Sequence, residues 1–330
     1  MKNLLFITFF LFALWSCEEA NQHTTATEEV EENPASQVVP EEAEPFLGWW
    51  DLTYDIDGSP APSWLEIKLS GFATLVGRYV STTGSARPIS HIFLEDGVFN
   101  FSIPPQWEGG EGNFTIEGQL DGNNRLKGKI TTNKGEVYQF TGKKAPLLVR
   151  TEEVKWGEPI DLFNGENLDG WYTTGDHGNW QVIDGILTST EPGSNLISEQ
   201  KFEDFKLEAE FRYPKGSNSG IYLRGRYEVQ IEDLPKDSHP ESHLFGGVYG
   251  FLTPNENAAL GPDVWQTFEI TLVGRLVTIV ANGKEIITRQ EIPGITGGAL
   301  DSNEGEPGPI YLQGDHGAVE FRKLRIIPAI

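Results

Sequence analysis

Apolar residues along this chain alternate with polar ones over short runs, and long helical patterns are absent. Phe205-Lys-Leu-Glu-Ala-Glu-Phe-Arg212, Trp265-Gln-Thr-Phe-Glu-Ile-Thr-Leu272 and Leu276-Val-Thr-Ile-Val-Ala281 each put every second side chain on one face. A period of two marks a half-buried strand. Asp96-Gly97, Asp184-Gly185 and Asn282-Gly283 stand between such runs at hairpin spacing, where tight turns need positive φ. The pattern predicts an all-β protein.

The runs fall into two groups. Between Phe46 and Lys144 they read as a meander: 48–54, 64–69, 74–80, 98–103, 113–118, 125–130 and 136–141. About eight short strands with one apolar face predict a small barrel or sandwich over 46–145. A charged, Pro-containing connector follows at 146–158. Alternating strands then continue over 159–330, the length of a two-sheet jelly roll.

Three strands carry polar residues where a second apolar face would be expected. In Gly220-Ile-Tyr-Leu-Arg-Gly225, Ile221 and Leu223 alternate with Tyr222 and Arg224. In Tyr227-Glu-Val-Gln-Ile-Glu-Asp233, Val229 and Ile231 alternate with Glu228, Gln230 and Glu232. In Gly308-Pro-Ile-Tyr-Leu-Gln-Gly-Asp-His-Gly317, Ile310 and Leu312 alternate with Tyr311 and Gln313, and the turn adds Asp315 and His316. Together they predict a polar concave face of the kind that holds a sugar.

Composition narrows the function. The chain has 330 residues, a net charge of −24, nine Trp and 19 Phe. The acidity argues against nucleic acid and anionic lipid as partners; the aromatics are ample for a core. The single cysteine, Cys17, excludes a disulfide framework. Lys2, the apolar run Leu4–Trp15 and then Cys17 resemble a bacterial lipoprotein signal, residues 1–16, with Cys17 as the lipidated mature N-terminus. Trp15 stands where that pattern prefers a small residue. Residues 17–45, rich in Glu and poor in apolar residues, read as a disordered acidic tether. Glu18-Glu19 resembles a surface-export signal. These features imply a lipid anchor in a bacterial envelope, on the periplasmic or surface face of an outer membrane.

Over 159–330 the chain resembles the 3-keto-disaccharide hydrolase family. The resemblance rests on Leu162-Phe-Asn-Gly-Glu-Asn-Leu-Asp-Gly-Trp171, Phe205–Arg212, Asn218-Ser-Gly-Ile-Tyr-Leu-Arg224, Tyr227–Asp233, Gly246-Gly-Val-Tyr249, Trp265, Asn282-Gly283 and 308–317, in that order. It implies a concanavalin A-like jelly roll that cleaves glycosides already oxidised at C3, by hydrolysis or by elimination and hydration. It also implies that a separate sugar 3-dehydrogenase supplies the substrate, since no dinucleotide-binding loop occurs here. The first domain lies outside the resemblance, although its pattern is similar to lipocalin-like domains. Pro235-Lys-Asp-Ser-His-Pro-Glu-Ser-His-Leu244 departs from the family pattern by two extra histidines.

A C3 ketone acidifies the C2 proton, so cleavage needs a base, an acid and a donor to the enolate oxygen. On the family reading Glu228 is the candidate base, His316 the acid or second base, and Arg224 the oxyanion donor. Asp315 would hold His316 or bind a hydroxyl. Gln230, Gln313, Asn218 and Glu232 are candidate binders, and Tyr222, Tyr311 or Trp171 a stacking platform. Structural uses compete: a Glu228–Arg224 cross-strand ion pair, or a plain turn at Asp315-His-Gly317. So do other functions, a non-catalytic carbohydrate-binding lipoprotein or a glycosidase using Glu228 and Glu232 on unoxidised sugars. In the first domain Arg78, Arg87, His91, Trp107 and Glu108 are weighed as a ligand face or as scattered surface. No cofactor is required by the sequence. A divalent metal remains open, with Asp301-Ser-Asn-Glu304 and His239/His243 as weak oxygen and nitrogen sources.

Overall fold

The structure, a computed structural model, describes residues 41–330 except Phe72 and Glu108. The expected signal, Cys17 and Glu108 lie outside the described residues. Among those described, the only helical element is a 3₁₀ turn at Glu44–Phe46; the protein is all-β. The barrel and sandwich described next belong to one compact unit, Val39–Ile330.

The first eight strands are β1 (Gly48–Ile56), β2 (Ser59–Ser70), β3 (Thr74–Val80) and β4 (Arg87–Glu95), then β5 (Val98–Ile103), β6 (Phe114–Leu120), β7 (Arg125–Thr131) and β8 (Val137–Lys144). They form an antiparallel meander that β1 closes by pairing with β8. Alternation alone does not isolate β4, because Pro88 lacks an N–H and breaks the run. Asp57-Gly58 and Asp96-Gly97 turn their hairpins with positive φ at both residues. Trp50, Tyr54, Tyr79, Phe99, Phe101 and Phe140 pack inside, and the Tyr79 hydroxyl bonds that of Tyr54 at 3.0 Å. Eight strands enclose little more than side chains can fill, so this barrel has a packed core. Ala43 and Phe46 are part of that core, and Phe46 O accepts the Trp50 indole N–H; the barrel's packing thus begins inside the acidic segment.

The sandwich strands start with β9 (Ile160–Asp161), β10 (Trp171–Thr173), β11 (Trp180–Ile183) and β12 (Ile186–Ser189). They continue through β13 (Leu196–Phe202), β14 (Phe205–Arg212), β15 (Asn218–Leu223) and β16 (Tyr227–Glu232). The last are β17 (Gln266–Val273), β18 (Leu276–Ala281), β19 (Lys284–Glu291), β20 (Gly308–Leu312) and β21 (Val319–Pro328). One sheet runs β10-β13-β20-β15-β16; the other runs β11-β12-β21-β14-β17-β18-β19, with β9 beside β21. Ile221, Leu223, Val229, Ile231, Ile310 and Leu312 of the five-stranded sheet share one apolar cluster with Leu207, Phe211, Phe268 and Ile279 of the other. This is a jelly-roll sandwich, and it leaves the outer face of the five-stranded sheet to the polar residues.

Barrel and sandwich are joined by an apolar and a charged seam. Trp64 and Val80 of the barrel belong to the sandwich's own cluster, and Trp64 packs edge-on against Phe251 at 5.2 Å. Arg78 stands 5.5 Å from both rings and donates to Glu66. Farther along, Arg275 makes two bonds to Glu304 at 2.7 and 2.5 Å, with Asp51 of β1 buried in the same region.

Candidate active site

The outer face of β15, β16 and β20 floors a cavity of about 390 Å³. The register sets Glu228 opposite Tyr222, and Tyr222 opposite Tyr311, in a row across three strands. Gly220 faces Gln230 in the next pair. A Cβ on Gly220 would lie 2.5 Å from Glu228 Oε1, so this glycine makes the space that the carboxyl occupies. The cavity is completed by Asn218, Gln313, Asp315 and His316, by Tyr249, Gly297 and Gly298 from sandwich loops, and by Thr83 and Trp107 from the barrel.

Glu228 is 3% exposed, and burial pushes its carboxyl up to about 8. The Tyr222 hydroxyl lies 2.9 Å from Glu228 Oε2 and 2.9 Å from Gly297 O. His316 stands at the exposed rim with Nδ1 2.6 Å from Asp315 Oδ1. That hydrogen bond raises the imidazole above its ordinary value. Burial works against the charge on Asp315, but the bond to His316, the imidazole's charge and the Asn195 amide together outweigh it and hold the carboxyl below its ordinary range. A buried carboxyl and a rim imidazole, both raised above their ordinary values, therefore share one pocket. Gln230 Oε1, Gln313 Oε1 and Asn218 Oδ1 are buried amide oxygens without a protein partner.

Glu228, Gln230, Gln313, Asp315, His316, Asn218, Tyr222 and Tyr311 thus come together. Arg224 does not. Strand β15 ends at Leu223, and Arg224 adopts φ +53°, which takes it out of the alternation. Its buried guanidinium donates to Gly274 O at 2.7 Å and Tyr227 Oη at 3.2 Å. It cannot donate to an enolate in this pocket, and it forms no ion pair with Glu228. Trp171 packs in the sandwich core and donates to Leu162 O at 2.7 Å, so it is no sugar platform. Glu232 ends β16 opposite Asn218 and is absent from the cavity wall, which leaves Glu228 without it as a second carboxylate. Tyr222 and Tyr311 stack on each other with centroids 4.2 Å apart, so each spends one face on its neighbour rather than on a ligand.

Other candidates are engaged elsewhere. Asp301 binds Arg226 and Glu304 binds Arg275, so the oxygens weighed for a cation serve arginines. His243 pairs with Glu241 at 3.5 Å. No group of three or more His, Cys, Asp or Glu is set to hold a metal among the described residues. In the barrel, Arg87 donates to Pro104 O and His91 stacks on Phe93. With Arg78 on Glu66 and Trp107 in the cavity wall, these residues make no common ligand face. Thr83, Tyr249 and Gly297-Gly298 were not readable as site residues. Only the Gly-Gly doublet and Gly246-Gly-Val-Tyr249 carry a local signal, of tight backbone approach.

The family model of the 3-keto-alpha-glucoside-1,2-lyase-like domain matches residues 158–327, the whole sandwich, and none of the barrel. The chain belongs to this family. A 3-keto-disaccharide hydrolase of Bacteroides thetaiotaomicron is 28% identical over 26% of this chain and 40% of its own length. The chain therefore spans about two fifths of the length of that curated relative. Among solved structures, a protein of Parabacteroides distasonis assigned as a glycosyl hydrolase is 26% identical, covering 54% of this chain and 92% of its own, with a TM-score of 0.45. A Bacillus licheniformis β-glucanase is 14% identical over 54% of this chain and 99% of its own, with a TM-score of 0.34.

Proposed function

We propose that the pocket cleaves glycosides oxidised at C3, with Glu228 as the base and His316 as the acid. The observation that carries this is the placement of a fully buried Glu228, pushed up to about 8, in the same cavity wall as a hydrogen-bonded His316–Asp315 pair. A carboxylate with a raised pKa is a stronger base. Glu228 takes the C2 proton, and the electron pair passes to the C3 oxygen as an enolate. Its return expels the C1 oxygen, which takes the His316 proton and leaves as an alcohol. Water added across the resulting double bond gives the free 3-keto sugar. With Arg224 out of reach, the enolate oxygen falls to neutral donors in the wall, the Thr83 hydroxyl and the side-chain amides of Asn218 and Gln313. The amide oxygens of Gln230, Gln313 and Asn218, to which no protein group donates, support a hydroxyl-rich ligand, since sugar hydroxyls can donate to them. The family membership and the curated relative support the oxidised-sugar class. Lipid anchoring through Cys17 in a bacterial envelope, beside a dehydrogenase that makes the ketone, belongs to the same proposal and is supported by the apolar run before Cys17.

The test is mass spectrometry of products from a 3-keto-disaccharide and its unoxidised parent, with and without chelator. Release of a 3-keto sugar or a 2-hydroxy-3-keto-glycal from the oxidised substrate alone is expected, and Glu228→Gln should slow it roughly 10²–10⁴-fold. Measurable sugar affinity without turnover of either substrate would sink the enzymatic reading and leave a binding protein. Cleavage of the parent would replace it with an ordinary glycosidase.

A further inference from the structure

The barrel lies outside the matched family domain, yet two of its loops reach the pocket. The loop 81–86, between β3 and β4, is seated in a slot made by missing side chains. Gly298 N donates to Thr82 O at 2.9 Å. A Cβ on Gly297 would lie 2.7 Å from Thr83 C, and one on Gly250 would lie 2.6 Å from Ala86 N. Both are closer than real contacts allow, and both would press on backbone. The loop 104–113, between β5 and β6, is fastened to the first. Gln106 accepts from Ser85 N at 3.0 Å and donates to Ser85 Oγ at 2.6 Å. The next residue, Trp107, lines the cavity and hydrogen-bonds the Tyr249 side chain. It is 69% exposed, so burial in a core does not explain its place.

Depth gives this indole a direction. Glu228 is at the closed floor, whereas His316 and Trp107 stand at the open rim. The ring that loses its C2 proton must sit deep, against Glu228. The group leaving from C1 must then point outward, past the acid. We propose that Trp107 forms the leaving-group subsite, an aromatic platform for a ring-bearing aglycone, which makes the barrel a specificity element of the active site. This rests on Glu228 marking the position of the oxidised ring.

The test compares affinities of two ligands that differ only beyond C1, a 3-keto-disaccharide and the matching methyl 3-keto-glucoside. Calorimetry with the full chain carrying Glu228→Gln gives the ratio of their dissociation constants. A stacked ring is worth about a tenfold preference for the disaccharide. Adding Trp107→Ala should bring the ratio toward one, and Trp107→Phe should keep most of it. An unchanged ratio in Trp107→Ala overturns the proposal. So does an equal loss for both ligands, which would mean that Trp107 only supports the pocket's fold. If the unsubstituted protein cleaves neither glycoside, the enzymatic reading fails by itself, and the affinity ratio still decides the subsite.

Discussion

The Tyr222 hydroxyl has one proton and two acceptors at equal distance, Glu228 Oε2 and Gly297 O. A carbonyl cannot donate, so all three atoms are satisfied together only when Glu228 is protonated and donates to Tyr222. When Glu228 ionises, Tyr222 turns its proton to the carboxylate, and Gly297 O loses its donor. The bond from Tyr222 favours the ionised carboxyl, and burial, the larger effect, still pushes it up to about 8. The consequence is a pH dependence whose sign can be worked out. The base form of Glu228 appears as pH rises through about 8, while the acid form of His316 is lost as pH rises through its raised pKa. The pH profile of kcat/KM should be bell-shaped, with apparent values that belong to the coupled pair. Asp315→Asn removes the hydrogen bond and charge that hold the proton on His316. The bell should move to lower pH on the limb that His316 sets. A profile in Asp315→Asn with neither limb moved would remove His316 from the acid's role.

At the scale of elements, the sheet face was legible and its surroundings were not. Alternation in β15, β16 and β20 separates Ile221, Val229 and Leu312 from Tyr222, Glu228 and Tyr311, because one slip of register would invert a whole strand. Arg224 was misread for the same reason: alternation ends with the strand, and the positive φ at Arg224 leaves no trace in the pattern. Trp171 sits in a motif whose role is packing. Thr83 and Trp107 lie more than a hundred residues before the strands they roof, and no local pattern encodes that docking. What encodes it is the absence of side chains at Gly250 and Gly297, which sequence shows only as glycines. Gly250→Ala would press on the backbone of 85–86 and strain a residue at φ +73°. It should cost about 2–4 kcal/mol, from crowding and the left-handed backbone together. Urea unfolding should show a lower midpoint, with sugar affinity weakened because the roof is displaced. An unshifted midpoint would mean that the 81–86 loop is not held by this slot.

Over the whole molecule, the joint between barrel and sandwich contains more buried carboxylates than cations. Asp51, Glu304 and Arg275 are all at most 2% exposed. Arg275 is committed to Glu304 by two bonds, and Tyr227 donates to the same carboxylate at 2.8 Å. No N–H or hydroxyl donates to either oxygen of Asp51, which faces the Glu304 carboxyl and can hydrogen-bond it only by keeping a proton. Burial, and then the charge of Glu304, push it up to about 10, so it is neutral in the folded protein at ordinary pH. In the unfolded chain an aspartate ionises near 3.9. A pKa raised on folding gives stability that is complete below the unfolded value and is lost progressively as pH climbs toward the folded one. The seam should therefore weaken from about pH 5 to pH 9. Glu228 adds a slope of the same sign up to about 8, so the decisive comparison is between proteins that share Glu228. Asp51→Asn keeps the shape and cannot ionise. Denaturation of both across that range should show a shallower decline for the variant, and a stability advantage that widens with pH. Parallel curves would mean that Asp51 gains no proton on folding, and that the second charge at the joint is met by a cation or by solvent.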